Sequence, residues 1–147
     1  MSDLIKRQFE FTRRAILKDI ESGSGKNFDV QPEGFNNTVQ WQLGHVLVTA
    51  ENLLFGPSGK LPEEYGRLFG NGSKPSAWEG DAPSVATLVE QLKEQLNRIK
   101  ELPDDRFDEK LPEPVIGNRT YGQLVSFTAF HEANHCGQIH AMVRFLG

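Results

Sequence analysis

One cysteine, Cys136, stands in a chain of 147 residues. That excludes an internal disulfide framework and makes a reducing cytoplasm the expected setting. Long apolar runs are missing as well, so no segment is expected to cross a membrane. The start, Met1-Ser2-Asp3-Leu4, has no basic stretch followed by an apolar one, and no signal peptide is expected. The formal charge is only −4, and the Lys and Arg residues are scattered. No basic stripe exists to track a phosphate backbone, so nucleic acid is not an expected partner. Internal repeats and low-complexity tracts are absent. The length suits one domain over residues 1–147, built around one hydrophobic core.

Four long helical segments can be read, separated by connections rich in Gly, Pro and Asn. Ile5, Phe9, Thr12, Ile16 and Ile20 recur at helical spacing over Asp3–Ile20, with Arg and Lys placed elsewhere around that helix. Gly23-Ser24-Gly25 stops it. A second helix is expected over Thr38–Phe55, with Asn36, Asn37 and Thr38 all able to cap its start. Trp41, His45, Val48, Thr49 and Asn52 share one of its faces, and Leu43, Leu47 and Leu54 the opposite one. A helix apolar on two sides is buried on two sides, either centrally or at a subunit contact. The third helix, Ser84–Glu101, carries the cleanest stripe: Val85, Leu88, Val89, Leu92, Leu96 and Ile99. The fourth, Thr120–Phe145, opens on a capping box formed by Thr120 and Gln123.

Two connections are long. Gly56–Pro83 is expected to hold a short helix near Glu63–Leu68, and a loop of this length often covers a site. Tyr65, Phe69 and Trp78 are its expected anchors. Asp104–Arg119, with Pro112, Pro114 and Gly117, reads as an extended or turn-rich crossover. The expected architecture is all-α: a four-helix bundle with long crossover connections. Leu92, Leu96 and Ile99 should share its core with Phe127 and Met142.

Histidine is also scarce, numbering four. Two of them, His131 and His135, lie one turn apart on the last helix, in phase with Leu124, Phe127, Thr128, Met142 and Phe145. Both rings therefore point toward the expected core, and buried imidazoles need partners. His45 occupies an apolar face of the second helix and can complete a three-histidine set if the two helices pack together. Three neutral imidazoles suit divalent Zn, Ni or Fe, leave its charge uncancelled and leave at least one coordination position open. The alternative is three separate core histidines, each bonded to a carbonyl or hydroxyl; spacing and phase favour the metal. His140 lies far around the helix and is expected in solvent. Trp41 and Asn52, on the His45 face, are the candidate substrate-binding residues.

The string His131-Glu132-Ala133-Asn134-His135 also fits the His-Glu-x-x-His pattern of zinc proteases. No further ligand follows downstream, and Glu132 falls beside the histidine face rather than within it, which argues against protease chemistry. Cys136 is rotated away from the histidines and is expected to pack as a small buried residue.

Trp41-Gln42-Leu43-Gly44-His45, taken with His131-Glu132-Ala133-Asn134-His135-Cys136-Gly137-Gln138-Ile139, resembles the DinB-like (YfiT-type) superfamily of proposed metalloenzymes. The resemblance extends over essentially the whole chain, including Thr120-Tyr121-Gly122-Gln123-Leu124. It implies a four-helix bundle and a divalent metal held by one histidine of the second helix and two of the last, here His45, His131 and His135. Some branches of that family use low-molecular-weight thiols, as S-transferases or isomerases. The isomerase branch usually carries a further C-terminal domain, and the end of this chain at Gly147 counts against it. Members are often homodimers, which suits the two-sided second helix.

The leading expectation is a cytoplasmic metal-dependent enzyme that activates a thiolate toward a small electrophile. A hydrolase using metal-bound hydroxide is the alternative. A further one is a non-catalytic protein that binds a metal or small ligand, or a dimerisation module.

Overall fold

Apolar residues at helical spacing shape four long helices in the computed structural model, which describes residues 1–146. Helix α1 (Ser2–Ser22) turns Ile5, Phe9 and Ile16 inward. Helix α2 (Val39–Ala50) starts where the Thr38 hydroxyl accepts the Trp41 N–H at 3.0 Å, and it widens into a π-helical turn over Glu51–Phe55. Helix α3 (Glu64–Phe69) is the short element expected in the long connection. Helix α4 (Val85–Lys100) is capped by Ser84 and buries Leu88, Leu92, Gln95 and Ile99. Helix α5 (Tyr121–Phe145) begins on the expected capping box, in which Thr120 and Gln123 satisfy each other's backbone N–H.

Helices α1 and α2 each pack against both α4 and α5. The order around the bundle is therefore α1, α4, α2, α5. Helices α1 and α2 stand diagonally opposite, as do α4 and α5, so the connections between them cross an end of the bundle. This all-α arrangement accounts for the length of the α1–α2 and α4–α5 connections, whereas Gly56–Pro83 joins neighbouring helices and holds α3. The connection from α4 to α5 is more ordered than the sequence suggests. A 3₁₀ segment, Asp104–Asp108, leads into an antiparallel hairpin of β1 (Lys110–Val115) and β2 (Asn118–Thr120) that lies against α5. Its turn places Ile116 at φ +50° and Gly117 at φ +75°, the left-handed pair that a two-residue hairpin loop requires.

The second apolar face of α2 is taken up within the chain. Helix α3 packs against α2 in addition to α4 and α5, and only Gln40 and Thr49 along α2 escape full burial. Tyr65 and Phe69 are buried and meet edge to face at 5.5 Å; Phe69 meets Trp78 in the same way, so the three expected anchors do hold the connection down.

Two apolar clusters make the core. One gathers Ile16, Leu47, Leu92, Ile139 and Met142; the other gathers Phe9, Leu54, Ile99, Val125 and Ala129. Arg13, Glu51, Gln95 and Glu132 each fall between members of the two clusters on their own helix, and they join into a buried polar layer. Arg13 donates to both carboxylate oxygens of Glu132 at 2.9 and 2.8 Å, to the Gln95 side-chain oxygen at 2.7 Å and to the Leu92 carbonyl at 2.7 Å. Gln95 in turn donates to Glu51 at 2.8 Å, and Glu51 receives a two-pronged contact from Arg98 at 2.9 Å on each oxygen. Burial alone would raise the Glu51 pKa. The bonds from Arg98, Gln95 and the Lys60 N–H outweigh it and hold the carboxyl below its usual range.

Several burial expectations are corrected. Arg13 is not among the solvated basic residues of α1; it is 2% exposed, because Glu132 supplies a countercharge. Leu96 and Phe127 are only half-buried, and Phe145 is 70% exposed. Phe127 and Phe145 are 18 residues apart, five full turns, and so share one azimuth. That azimuth lies at the margin of the buried face of α5, which Val125, Glu132, Ile139 and Val143 define.

Candidate metal centre

Four residues of the Trp41–His45 stretch have distinct places around one point, and the fifth, Leu43, points into the core. His45 projects from the middle of α2, buried, with its ring stacked on Trp41 at 4.6 Å and 10° between planes. Its Nδ1–H donates to the Phe69 carbonyl at 2.8 Å. A carbonyl only accepts, so that nitrogen carries the proton and Nε2 of the neutral ring keeps its lone pair. Gly44 makes this bond geometrically possible. A Cβ at position 44 would overlap the Phe69 ring, so only glycine lets the end of α3 come close enough to α2. Leu43 is fully buried in the core.

Gln42 reaches across to α5. Its side-chain oxygen accepts from His135 Nδ1 at 2.6 Å, while its amide nitrogen donates to Asn37 and Gln138, each at 3.0 Å. The proton of His135 is thereby placed on Nδ1, and its Nε2 is also left with a lone pair.

The third ring, His131, brings its Nε2 to 3.1 Å from Nε2 of His45. Ring centroids are 5.0 Å apart for His45 and His131, 4.7 Å for His45 and His135, and 4.5 Å for His131 and His135. One nitrogen from each ring lies within 4.8 Å of the others, so the three-histidine group can hold a metal ion. Two nitrogens bound to one ion at about 2.1 Å cannot be more than about 4.2 Å apart, so small ring movements suffice for ligation. The donor set fits a borderline-soft divalent cation: three imidazole nitrogens and no carboxylate.

The electrostatics keep the rings neutral and ready to ligate. Burial lowers the pKa of all three, offset only in part by the Phe69 carbonyl at His45 and by the charge of Glu132 at His131. His135 is pushed down to about 4, first by burial and then by the neighbouring His131 and His45.

Glu132, next to His131, faces away from this cluster. It is 1% exposed, and its carboxylate accepts from Thr12 at 2.6 Å in addition to the two bonds from Arg13. Trp41 is buried against His45, and its indole N–H donates to Ser73 at 2.9 Å. Asn52 is exposed and lines a shallow groove with Gly59 and Tyr65. The π-helical turn that begins at Glu51 interrupts the regular phase that would put Asn52 on the His45 face. His140 is exposed beside Asp19 at 2.9 Å. Cys136 is half-buried with its sulfur against the Thr12 carbonyl, and burial, followed by Asp19 and Glu132, raises its thiol pKa.

Gln42, Gly44 and the Phe69 carbonyl are the parts of this site that sequence reasoning missed. Gln42 did leave a signal: a glutamine inside an apolar helix needs a buried partner.

The family model described as the DinB superfamily matches residues 8–139. Among curated proteins none matches the chain. The match takes in all three histidines and the motif residues around them, on a helical bundle of the kind the resemblance implied, and the chain belongs to the DinB superfamily.

Proposed function

We propose that this protein is a divalent-metal-dependent enzyme that transfers a low-molecular-weight thiol to a small electrophile, with His45, His131 and His135 as the metal ligands. The observation that argues against protease-type hydrolysis is the engagement of Glu132. Both of its oxygens are occupied by Arg13 and Thr12, so the one carboxylate that the His-Glu-x-x-His pattern offers as a general base is withdrawn from the histidine cluster. Hydrolysis through that pattern lacks its base.

A cation held by these three neutral imidazoles would supply the Lewis acidity that lets a thiol ionise near neutral pH, with no protein base required. In the net reaction the sulfur forms a bond to the electrophilic carbon. The leaving group departs with its electron pair, and the thiol proton passes to solvent. The contribution of the chain is positional: Phe69 and Gln42 hold two rings with their lone pairs inward, and Trp41 backs the His45 ring. The ion would be Zn, Ni or Fe, the substrate a small molecule and the setting the cytoplasm, where free thiols persist.

Elemental analysis of the purified protein, followed by turnover of a panel of electrophiles with several thiols, tests this reading. Stoichiometric metal and thiol-dependent consumption of an electrophile, both lost on replacing His135 by Ala, are expected. Turnover without thiol would favour the hydrolase, and bound metal without turnover would favour a binding protein.

A further inference from the structure

Gln42 is not one of the three clustered histidines' nitrogen donors, yet it is 1% exposed and one of its three polar side-chain contacts reaches a histidine of the cluster. The oxygen accepts from His135 Nδ1 at 2.6 Å. The amide nitrogen is fixed from two directions at 3.0 Å, by Asn37 in the segment before α2 and by Gln138 on α5. An amide has two donor hydrogens, and these two acceptors use both, so the side chain has little freedom to turn its NH₂ toward His135. The orientation is therefore set by the surroundings, and through it the tautomer of the histidine. His131 has no comparable partner on Nδ1 among the described residues.

Resting on the metal-site reading above, we propose that Gln42 is a positioning residue for the centre. Clamped by Asn37 and Gln138, it keeps the His135 proton on Nδ1 and so presents Nε2 to the cation shared with His45 and His131. It acts only through His135. Groups that orient a ligating histidine from behind typically change metal affinity about 10–100-fold when removed. Gln42 also ties α2 to α5, the two helices that carry the ligands, so one side chain sets both the tautomer and the spacing between them.

The test compares wild type with Gln42→Met and Gln42→Glu. Methionine keeps the length but removes the acceptor; glutamate keeps an acceptor for Nδ1–H. Imidazole nitrogen NMR shifts of the metal-free proteins read the His135 tautomer directly. Binding of Co²⁺, followed by its absorption at fixed pH, reads the affinity. Wild type and Gln42→Glu are expected to hold the Nδ1–H form, and Gln42→Met to lose it and bind Co²⁺ about 10–100-fold more weakly. Gln138→Leu frees one side of the clamp while sparing the acceptor. It is expected to give a smaller loss, and it keeps the proposal testable if Gln42→Met fails to fold. Unchanged tautomer and affinity in Gln42→Met would overturn the role of Gln42 while leaving the metal site intact, as would unchanged affinity in Gln138→Leu should that variant stand alone. Failure of the wild type to bind Co²⁺ would overturn the metal-site reading and this proposal with it.

Discussion

Arg13 and Glu132 are 119 residues apart in the chain and meet in the middle of the bundle, two guanidinium nitrogens against two carboxylate oxygens at 2.9 and 2.8 Å. Both are almost fully buried, at 2% and 1% exposure. Neither is a ligand, but together they fix α1 against α5, on which two of the three histidines stand. Removing one member of such a pair strands the other charge and costs about 3–5 kcal/mol. Glu132→Gln is therefore expected to lower the denaturant midpoint markedly while leaving the metal affinity of the folded protein nearly unchanged. Combining Arg13→Met with Glu132→Leu is expected to cost less than the sum of the two single changes. Equilibrium unfolding of wild type, Arg13→Met, Glu132→Leu and the double variant checks the coupling, and strict additivity would show that the two residues are not coupled.

Gly44→Ala is expected to act in the opposite manner, on the site more than on the bundle. The added methyl overlaps the Phe69 ring, and overpacking of this kind typically costs about 1–3 kcal/mol. Relief comes by moving the end of α3 outward, which lengthens the 2.8 Å bond from His45 Nδ1 to the Phe69 carbonyl. Weaker Co²⁺ binding together with a lowered melting temperature is the expected result. A variant that melts earlier but binds as tightly as wild type would show that the His45 orientation does not depend on that carbonyl.

The metal-free protein should lose stability in mild acid. In the unfolded chain the histidines take up protons near 6.5. In the folded chain burial lowers all three site histidines, His135 to about 4. Between those values the unfolded state binds more protons, so stability rises with pH across this window and falls as pH drops through it. The contribution is fully present above about 6.5 and is lost by the time the folded-state value is passed. Unfolding midpoints between pH 7 and pH 4, compared between chelator-treated wild type and a His135→Asn variant, isolate the effect. A wild-type curve parallel to that of the variant would contradict it. Metal affinity should weaken in the same acid range, because a protonated imidazole cannot coordinate.

What the sequence makes legible is periodic and local. Ile5, Phe9 and Ile16 announce α1 through spacing alone, Thr120 with Gln123 announces the start of α5, and His131 and His135 share a face because one helical turn separates them. The meeting of His45 with that pair needed only the packing of two apolar helices. What stays hidden is set by partners far along the chain. The charge of Arg13 reads as a surface group until Glu132 appears opposite it. The orientation of His45 depends on the Phe69 backbone carbonyl, and backbone groups look alike in any sequence. Phe145 misleads for a geometric reason: like Phe127, five turns before it, it stands at the margin of the buried face rather than at its centre.

Cys136 follows a ligand candidate directly, but it should be a slow nucleophile. Its sulfur is half-buried against the Thr12 carbonyl, and burial with nearby Asp19 and Glu132 raises the thiol pKa. The reactive form is the thiolate, which is scarce here at neutral pH. Alkylation of the native protein is expected to be much slower than that of the unfolded chain and to leave bound metal in place. Rapid labelling that metal suppresses would make Cys136 a ligand or nucleophile.

The histidine set itself gives the sharpest contrast. His45, His131 and His135 come from two helices, yet one nitrogen from each lies within a 4.8 Å group. His140 stands on the same helix as two of them but is exposed and engaged by Asp19. A cation held by three imidazoles and left with two loses a full bond in a site that has no carboxylate to compensate, so Ala at position 45, 131 or 135 is expected to abolish Co²⁺ binding at micromolar concentration. His140→Ala is expected to leave affinity within about twofold of wild type, because surface substitutions away from a site change little. The two orienting bonds add a gradation. Among the described residues His131 has no partner on Nδ1, so its ring is the least constrained before metal enters, and its NMR signals should change most between the apo form and the form loaded with diamagnetic Zn²⁺. Dependence of binding on His140, or binding that survives loss of His45, would show that the ion sits elsewhere and that the cluster is a set of core histidines held by their own hydrogen bonds.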